Sequence, residues 1–461
     1  MLRLGTLLKR TLAPAAACAL ALAACGSQHK SPAASTATNS AQPPPRSNHT
    51  VYIYSSLPLN GPEAAESAQV QRGIQLALHR THSRVPRFRI RYRALDDSIV
   101  KRSRRGKILV FKGTGWNLTQ TLKNAERAAR NPQAVAYIGD LDSGATMLSL
   151  PILNEAGIAQ LTPGSGYPGL TDSYKGITQS GEPGKYYPQG STRTLLRLIP
   201  NDTVQASAAL AVLRAGGCQR FSAWRFGTKT LQAEALFNAV IAVAPKYKMT
   251  YKPAPALGKS TNYLTYVDDL KPDQLHCAVM VGRVTPAAVM LTTELRLQLL
   301  PAPAIVGTSG FCSSSWTRGI SSDLHRNAAQ VKNVVAGLYC TTPTRPVTEA
   351  EYPSTRKFVG DFISAFRHRY HRRPLAYDYY GYVAAELVIA ALKDVAPNQD
   401  ARQQVTTGLF GLASIDLNTY TFDDSGDVGS SAYGVDSFKN GVPKHYKTVM
   451  PDAAHLLTSA G

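Results

Sequence analysis

Residues 134–171, AVAYIGDLDSGATMLSLPILNEAGIAQLTPGSGYPGLT, leave the chain little freedom of fold. Ala134–Gly139 is a short apolar run ending in glycine, the pattern of a strand buried on both faces of a parallel sheet. The turn Asp140-Leu141-Asp142-Ser143-Gly144 follows, and Ser143 is placed to cap the helix that begins there. Pro151 is expected to shorten or kink that helix, and Gly157 to end it. Ile158–Leu161 starts a second strand, which runs into the polar turn Thr162-Pro163-Gly164-Ser165-Gly166. Open α/β sheets bind ligands beyond the carboxyl ends of their strands. Two neighbouring strands therefore deliver two Ser- and Gly-rich turns to one rim. The backbone N–H groups at the start of the helix suit a carboxylate.

The rest of the 461 residues repeats this alternation, and 44% hydrophobic content supports sizeable cores. Strands are expected at Val51–Ser55, Phe88–Leu95, Thr194–Ile199, Arg220–Arg225, Cys277–Val281, Ala304–Gly307 and Val331–Cys340. Long helices are expected at Tyr352–Tyr370 and Tyr377–Asp394, and a final hairpin around Asn440-Gly441. Tyr186 and Tyr187 lie in a Gly- and Pro-rich loop, where they suit either a cleft rim or packing beneath the loop.

The amino terminus carries Arg3, Lys9 and Arg10 ahead of an Ala-rich apolar stretch. It ends Leu22-Ala23-Ala24-Cys25-Gly26, which resembles a bacterial lipobox. The resemblance implies that residues 1–24 are a signal peptide. Cys25 would then be lipidated and hold the mature chain to the membrane by acyl chains. Residues 25–49 read as a flexible tether of Ser, Thr, Ala and Pro, with a reach of roughly 25 Å. The formal charge of +21 favours anionic surroundings. It is densest at Arg84, Arg87, Arg89, Arg91 and Arg93, and in residues 98–116 with Lys101, Arg102, Arg104, Arg105, Lys107 and Lys112. A surface touching anionic lipid or wall polymer and a merely solvated face both fit this block. The chain contains neither zinc-like Cys/His spacing nor a nucleic-acid module.

Ile138-Gly139, Ser143-Gly144-Ala145, Pro151 with Asn154-Glu155-Ala156-Gly157-Ile158, and Pro163 with Pro168, Leu170 and Thr171 resemble, in order, the leucine/isoleucine/valine-binding proteins. These are solute receptors of bacterial ABC importers. Pro58-Leu59-Asn60-Gly61-Pro62, followed by Arg72-Gly73-Ile74, resembles the opening of the same family. Arg197-Leu198-Ile199-Pro200-Asn201-Asp202 resembles its first crossing between lobes, with Asp202 read as a helix cap. Thr419–Asp427 resembles its late strand and acidic glycine turn, and residues 98–116 look like an insertion. The resemblance implies an α/β periplasmic-binding-protein fold. Each of two lobes is a doubly wound parallel sheet flanked by helices, and three crossovers join them. The N-terminal lobe would take residues 50–199 plus about 342–412, the C-terminal lobe 200–341 plus about 413–461. It further implies a small polar ligand, an ABC permease as partner, and no catalysis, cofactor or metal.

Carried over position by position, the family's ligand contacts fall on Ser143 and Gly144 of the first turn and Gly164, Ser165 and Gly166 of the second. Gly166 stands where the family has Thr. Glu66 falls where a stacking Tyr is found, Phe226 where the second lobe offers a Tyr, and Ser309 where an acidic residue meets the α-amino group. A buried ammonium without its carboxylate costs several kcal/mol, so a free branched-chain amino acid is not the expected ligand. Glu66 leaves room for a differently oriented amine or cation.

Four cysteines remain in the folded part. Cys218 precedes one strand and Cys277 starts another, while Cys312 follows one strand and Cys340 ends the next. In the common strand order these are neighbours, which predicts Cys218–Cys277 and Cys312–Cys340. An exported hydrolase is the main rival class. The chain lacks a G-x-S-x-G elbow and an H-E-x-x-H motif, and His368 and His371 sit among arginines. An envelope sensor or wall-binding lipoprotein on the same fold is the alternative to a transport receptor.

Overall fold

The computed structural model describes residues 49–98, 100–102, 108–110, 115–188, 190, 192–258, 260–411 and 421–459. The expected signal peptide, Cys25, nearly all of the tether and the chain between 411 and 421 lie outside the described residues. Among the described residues, no helix is long and apolar enough to cross a membrane.

The first half runs β1 (His49–Leu57), α1 (Ala64–Arg80), β2 (Arg84–Val85), β3 (Phe88–Asp96), β4 (Val100–Arg102), β5 (Ile108–Val110), α2 (Leu118–Ala129), β6 (Ala134–Gly139), α3 (Ser143–Glu155), β7 (Ala159–Thr162) and β8 (Leu195–Arg197). The second half continues with α4 (Asp202–Ala215), β9 (Arg220–Phe226), α5 (Leu231–Val243), β10 (Thr250–Tyr251), α6 (Tyr263–Asp268), β11 (Cys277–Gly282), α7 (Pro286–Gln298), β12 (Ala304–Gly307), α8 (Ser314–Asp323), α9 (Ala328–Val335) and β13 (Leu338–Thr342). Then come α10 (Arg356–Tyr370), α11 (Ala376–Asp394), α12 (Ala401–Gly411), β14 (Tyr433–Lys439) and β15 (Val442–Val449).

Two sheets result. The first has the order β2-β3-β1-β6-β7-β8, parallel except for the short β2. The second has the order β10-β9-β11-β12-β13-β14-β15, with five parallel strands, β10 to β13, and an antiparallel hairpin at its edge. Each sheet carries helices on both faces, because its central strands are apolar on both sides. This is the two-lobed, doubly wound α/β architecture that the motifs imply. The chain passes between the sheets after β8, after β13 and after α12.

On the first lobe α1 lies against α11 at a crossing made by two glycines. A Cβ on Gly73 would stand 2.1 Å from the Asp378 carbonyl oxygen, and one on Gly381 would stand 2.1 Å from that of Val70. Only glycine permits this approach. At the start of that sheet Arg89, Arg91 and Arg93 of β3 are exposed while Phe88 and Ile90 are buried, the wet-faced strand their alternation predicts. Within residues 98–116, β4 and β5 pair as a hairpin; Arg104, Arg105, Lys107 and Lys112 lie outside the described residues.

Both disulfides form as expected. Cys218–Cys277 joins the approach to β9 with the start of the adjacent β11, and Cys312–Cys340 joins the turn after β12 with β13, at Cα separations of 6.1 and 5.4 Å. Several local expectations are corrected. Val331–Cys340 is not one strand: Asn327 accepts from the Gln330 N–H and caps α9 through Val335, and only Leu338–Thr342 is extended. The helix expected from Tyr352 starts at Arg356, after a 3-10 turn at Pro353–Thr355. Asp142, not Ser143, caps α3, and Asn201, not Asp202, caps α4. Pro151 is accommodated inside α3, which continues to Glu155. Tyr186 and Tyr187 are buried beneath their loop, the first donating to Glu182 Oε1 at 2.8 Å and the second to the Leu170 carbonyl at 2.8 Å.

Candidate ligand site between the lobes

The carboxyl ends of β1, β3, β6 and β7 deliver their turns to one rim of the first lobe. Asp96 builds its first corner, accepting from the Leu59 N–H at 3.0 Å and from Asn60 Nδ2 at 2.8 Å. These bonds hold the loop that leads into α1 and its acidic residues Glu63 and Glu66. The α3 end follows. Asp142 Oδ1 accepts from the Gly144 N–H at 2.7 Å, so the carboxylate that this helix start attracts comes from the chain itself.

Ser143 is buried and its Oγ accepts from the Tyr167 N–H at 3.1 Å, tying the first turn to the second. Ser165 is equally buried. Its Oγ is 2.7 Å from Thr146 Oγ1, and its carbonyl accepts from Arg197. Gly164 is fixed against the Leu141 carbonyl, 2.4 Å from where a Cβ would stand. At Gly166 a Cβ would come 2.3 Å from Asp202 Oδ1. The Asp202 carboxylate thus fills the space of any side chain at position 166, and the Asp202 N–H donates to the Gly166 carbonyl at 2.8 Å. Burial pushes the Asp202 carboxyl up to about 6, against the Gln232 hydrogen bond and the Arg197 charge.

Arg197, fully buried, locks this corner. It donates from Nε to Asp427 Oδ1 at 2.8 Å, from Nη1 to the carbonyls of Ser165 and Tyr167 at 2.6 and 3.1 Å, and from Nη2 to Thr171 Oγ1 at 2.7 Å. The first crossing, the second turn and the acidic turn of the third crossing meet at this one guanidinium.

The accessible part of the rim is acidic and aromatic. Among the described residues, Glu63 Oε2 and Glu66 Oε2 are buried atoms without a hydrogen-bond partner. Glu63 is pushed up to about 7, first by burial, then by the negative charges of Asp142 and Glu66, with Arg283 opposing. That opposition sets Arg283, an exposed residue just after β11, across from Glu63 and Asp142 of the first lobe. The Trp116 ring covers Gly144, with Cζ2 2.7 Å from where a Cβ would stand. Tyr377, at the start of α11, feels the charges of Glu66 and Glu63, which raise its hydroxyl pKa further after burial.

The second lobe presents three turns packed backbone to backbone: a Cβ on Gly282 would meet the Phe226 carbonyl at 2.1 Å, and one on Gly310 the Gly282 carbonyl at 2.2 Å. Ser309 is exposed there. Phe226 is buried in the lobe's core, with its ring edge-on to Phe311 at 6.3 Å.

Of the predicted contacts, Glu66, Gly144, Gly164 and Ser309 thus retain exposure, whereas Ser143, Ser165, Gly166 and Phe226 are buried among the chain's own groups. Glu63, Trp116, Tyr377 and Arg283 were missed. Only Glu63 carried a legible signal, an acidic residue three positions before Glu66 at a helix start, where the two share a face.

No protein-family model matches the sequence, and no curated protein matches it. Solved structures share the fold. An ABC transporter substrate-binding protein from Desulfitobacterium hafniense in complex with Leu superposes with a TM-score of 0.61 at 18% identity, covering 86% of this chain and 100% of that one. The leucine-binding protein LivK from Thermotoga maritima gives 0.61 at 18% identity, with coverage of 87% and 99%. A solute-binding protein from R. palustris in complex with benzoate gives 0.58 at 13%, with coverage of 88% and 99%. The fold is therefore that of ABC transporter substrate-binding proteins. One fold among these neighbours holds both an amino acid and an aromatic acid, so it does not fix a ligand.

Proposed function

We propose that this chain is an extracytoplasmic solute receptor, lipid-anchored at Cys25, that captures a small amine between its lobes for an ABC importer of amino acids or related compounds. It works by closure: one lobe holds the ligand, hinge motion brings the other over it, and a membrane permease reads the closed form. It is a receptor and not an enzyme. The exposed arginines of β3 favour an anionic lipid or wall surface near the anchor, an attraction that salt would weaken steeply.

The observation that carries the ligand class is the pair of unpartnered carboxylate atoms on Glu63 and Glu66, beside Trp116 and Tyr377. Buried carboxylate oxygens without donors are costly, and an ammonium group would satisfy both while aromatic faces add cation–π attraction. Calorimetry with the refolded full chain tests the reading. Putrescine is expected to bind at micromolar concentration, more weakly below pH 7 as Glu63 takes up a proton, and about tenfold or more weakly in Glu63→Gln/Glu66→Gln. Leucine, isoleucine and valine are expected not to bind at millimolar concentration. Micromolar binding of any of the three, or no binding of putrescine, would overturn the ligand class.

A further inference from the structure

A cavity of about 570 Å³ opens beside the second crossing, and none of the residues described at the interlobe site lines it. Small-molecule sites span about 300–1,000 Å³, so its size is that of a ligand pocket. Its walls come from the crossing segment after β13, from α10, from the turn before α11, and from the hairpin of β14 and β15. Both lobes and the segment joining them therefore share one hollow.

The lining is amphipathic. Val347, Ile363, Pro374 and Leu375 supply an apolar floor. The charged groups are Arg345, Arg367 and Arg373 against Glu349 and Asp436, an excess of cations before His445 is considered. Arg345 is held in place: its guanidinium lies 3.9 Å from the Tyr352 ring centroid and donates to the Glu351 carbonyl at 2.7 Å. Arg367 and Arg373 are exposed, and their guanidinium groups make no hydrogen bond or ion pair among the described residues.

His445 stands on the cavity wall between two carboxylates of the chain. Its Nε2 lies 3.4 Å from Glu351 Oε1 and its Nδ1 3.8 Å from Asp436 Oδ1, yet neither buried ring nitrogen has a hydrogen-bond partner among the described residues. The other oxygen of Glu351, Oε2, accepts from Thr448 Oγ1 at 2.5 Å. Guanidinium groups match a carboxylate in plane and can bind it through two hydrogen bonds.

We infer that this cavity is a second ligand site, built for a small organic carboxylate with an apolar body. The carboxylate lies against Arg367 and Arg373, and the apolar body on the Val347, Ile363 and Leu375 floor. This site does not depend on the amine reading of the interlobe cleft.

The test uses 1-naphthoate, a fluorescent aromatic carboxylate, titrated into the full chain. One site per chain is expected, with a Kd below about 1 mM. Arg367→Gln/Arg373→Gln is expected to weaken binding about tenfold or more. Both side chains are exposed, so the urea midpoint of this variant serves as a check that it folds. Glu63→Gln/Glu66→Gln, in the cleft, is expected to bind 1-naphthoate as the natural chain does, and the neutral 1-naphthamide to bind much more weakly. Four results would each overturn the assignment: no saturation by about 5 mM, unchanged affinity in the double arginine variant, loss of binding in the cleft variant, or equal affinity for the amide.

Discussion

Arg197→Met tests how the lobes are joined. The natural side chain is fully buried and makes four hydrogen bonds, to Asp427 Oδ1, the Ser165 and Tyr167 carbonyls, and Thr171 Oγ1. Methionine fills a similar volume but leaves Asp427 with the Asn201 Nδ2 bond of 2.6 Å and no cation. Breaking a buried ion pair from one side costs about 3–5 kcal/mol, and three further abandoned acceptors move this case to the upper end of that range. Urea unfolding followed by tryptophan fluorescence gives the loss directly. Adding Asp427→Asn removes the stranded charge and is expected to recover roughly 1–2 kcal/mol, a coupling that a double-mutant cycle isolates. A loss below about 1 kcal/mol, or further destabilisation by Asp427→Asn, would show that the guanidinium does not hold this junction.

Asp97 and Asp140 lie behind the first turn, and both carboxyls are pushed up by burial, Asp97 also by the charge of Asp140. Their folded-state affinity for protons exceeds that of the unfolded chain, so the stability they lend is present at low pH and lost as pH rises through their raised values. Asp97→Asn keeps an acceptor for Ser56 Oγ and is expected to stabilise the protein by on the order of 2 kcal/mol more at pH 8 than at pH 5; an equal effect at both would contradict the linkage. Gly73→Ala forces a methyl against the Asp378 carbonyl and is expected to cost about 1–3 kcal/mol in thermal or urea unfolding, whereas Gly408→Ala, with ordinary contact at 3.7 Å, is expected to be neutral or stabilising. Replacing Cys218 and Cys277 by serine opens a loop of 59 residues and is expected to cost about 4 kcal/mol, slightly more than the 28-residue Cys312–Cys340 loop; the reverse order would refute loop entropy as the source.

The fold was legible because its strands are apolar on both faces and punctuated by glycine. Ala134–Gly139 and Cys277–Val281 cannot sit at a wet surface, and helices must cover them. The errors fall where local composition and tertiary position disagree. Val331–Val335 is rich in β-branched residues, yet an asparagine cap and one buried position, Val334, make it helical. Tyr352 is fully buried in the first lobe's core, but Pro353 opens a tight turn that delays the helix by a few residues. The disulfides were legible because strand order alone brought their ends together.

The sequence named turns that the fold does bring to one rim, but not how their side chains are engaged there. Position 166 shows why. Its glycine reads in sequence as a lost hydroxyl, but in space it makes room for Asp202, which arrives from beyond the first crossing. The pairing depends on the position of the crossing, which the sequence at 166 does not contain. Phe226 likewise sits at the end of its strand, but its ring turns into the core toward Phe311. These two facts bear on the ligand together. Asp142 already occupies the Gly144 N–H, and Asp202 already lies against Gly166, so chain carboxylates stand in the corner where an amino acid's own carboxylate would go. Glu63 and Glu66 add negative charge to the same rim, and among the described residues Arg283 answers it from across the cleft. A second anion brought there would be opposed by charges held at short range in a poorly solvated corner, whereas a cation would be drawn in by them. The balance of charge favours the proposed amine, and it makes Glu63 and Glu66, rather than the serine and glycine turns, the positions at which to test discrimination.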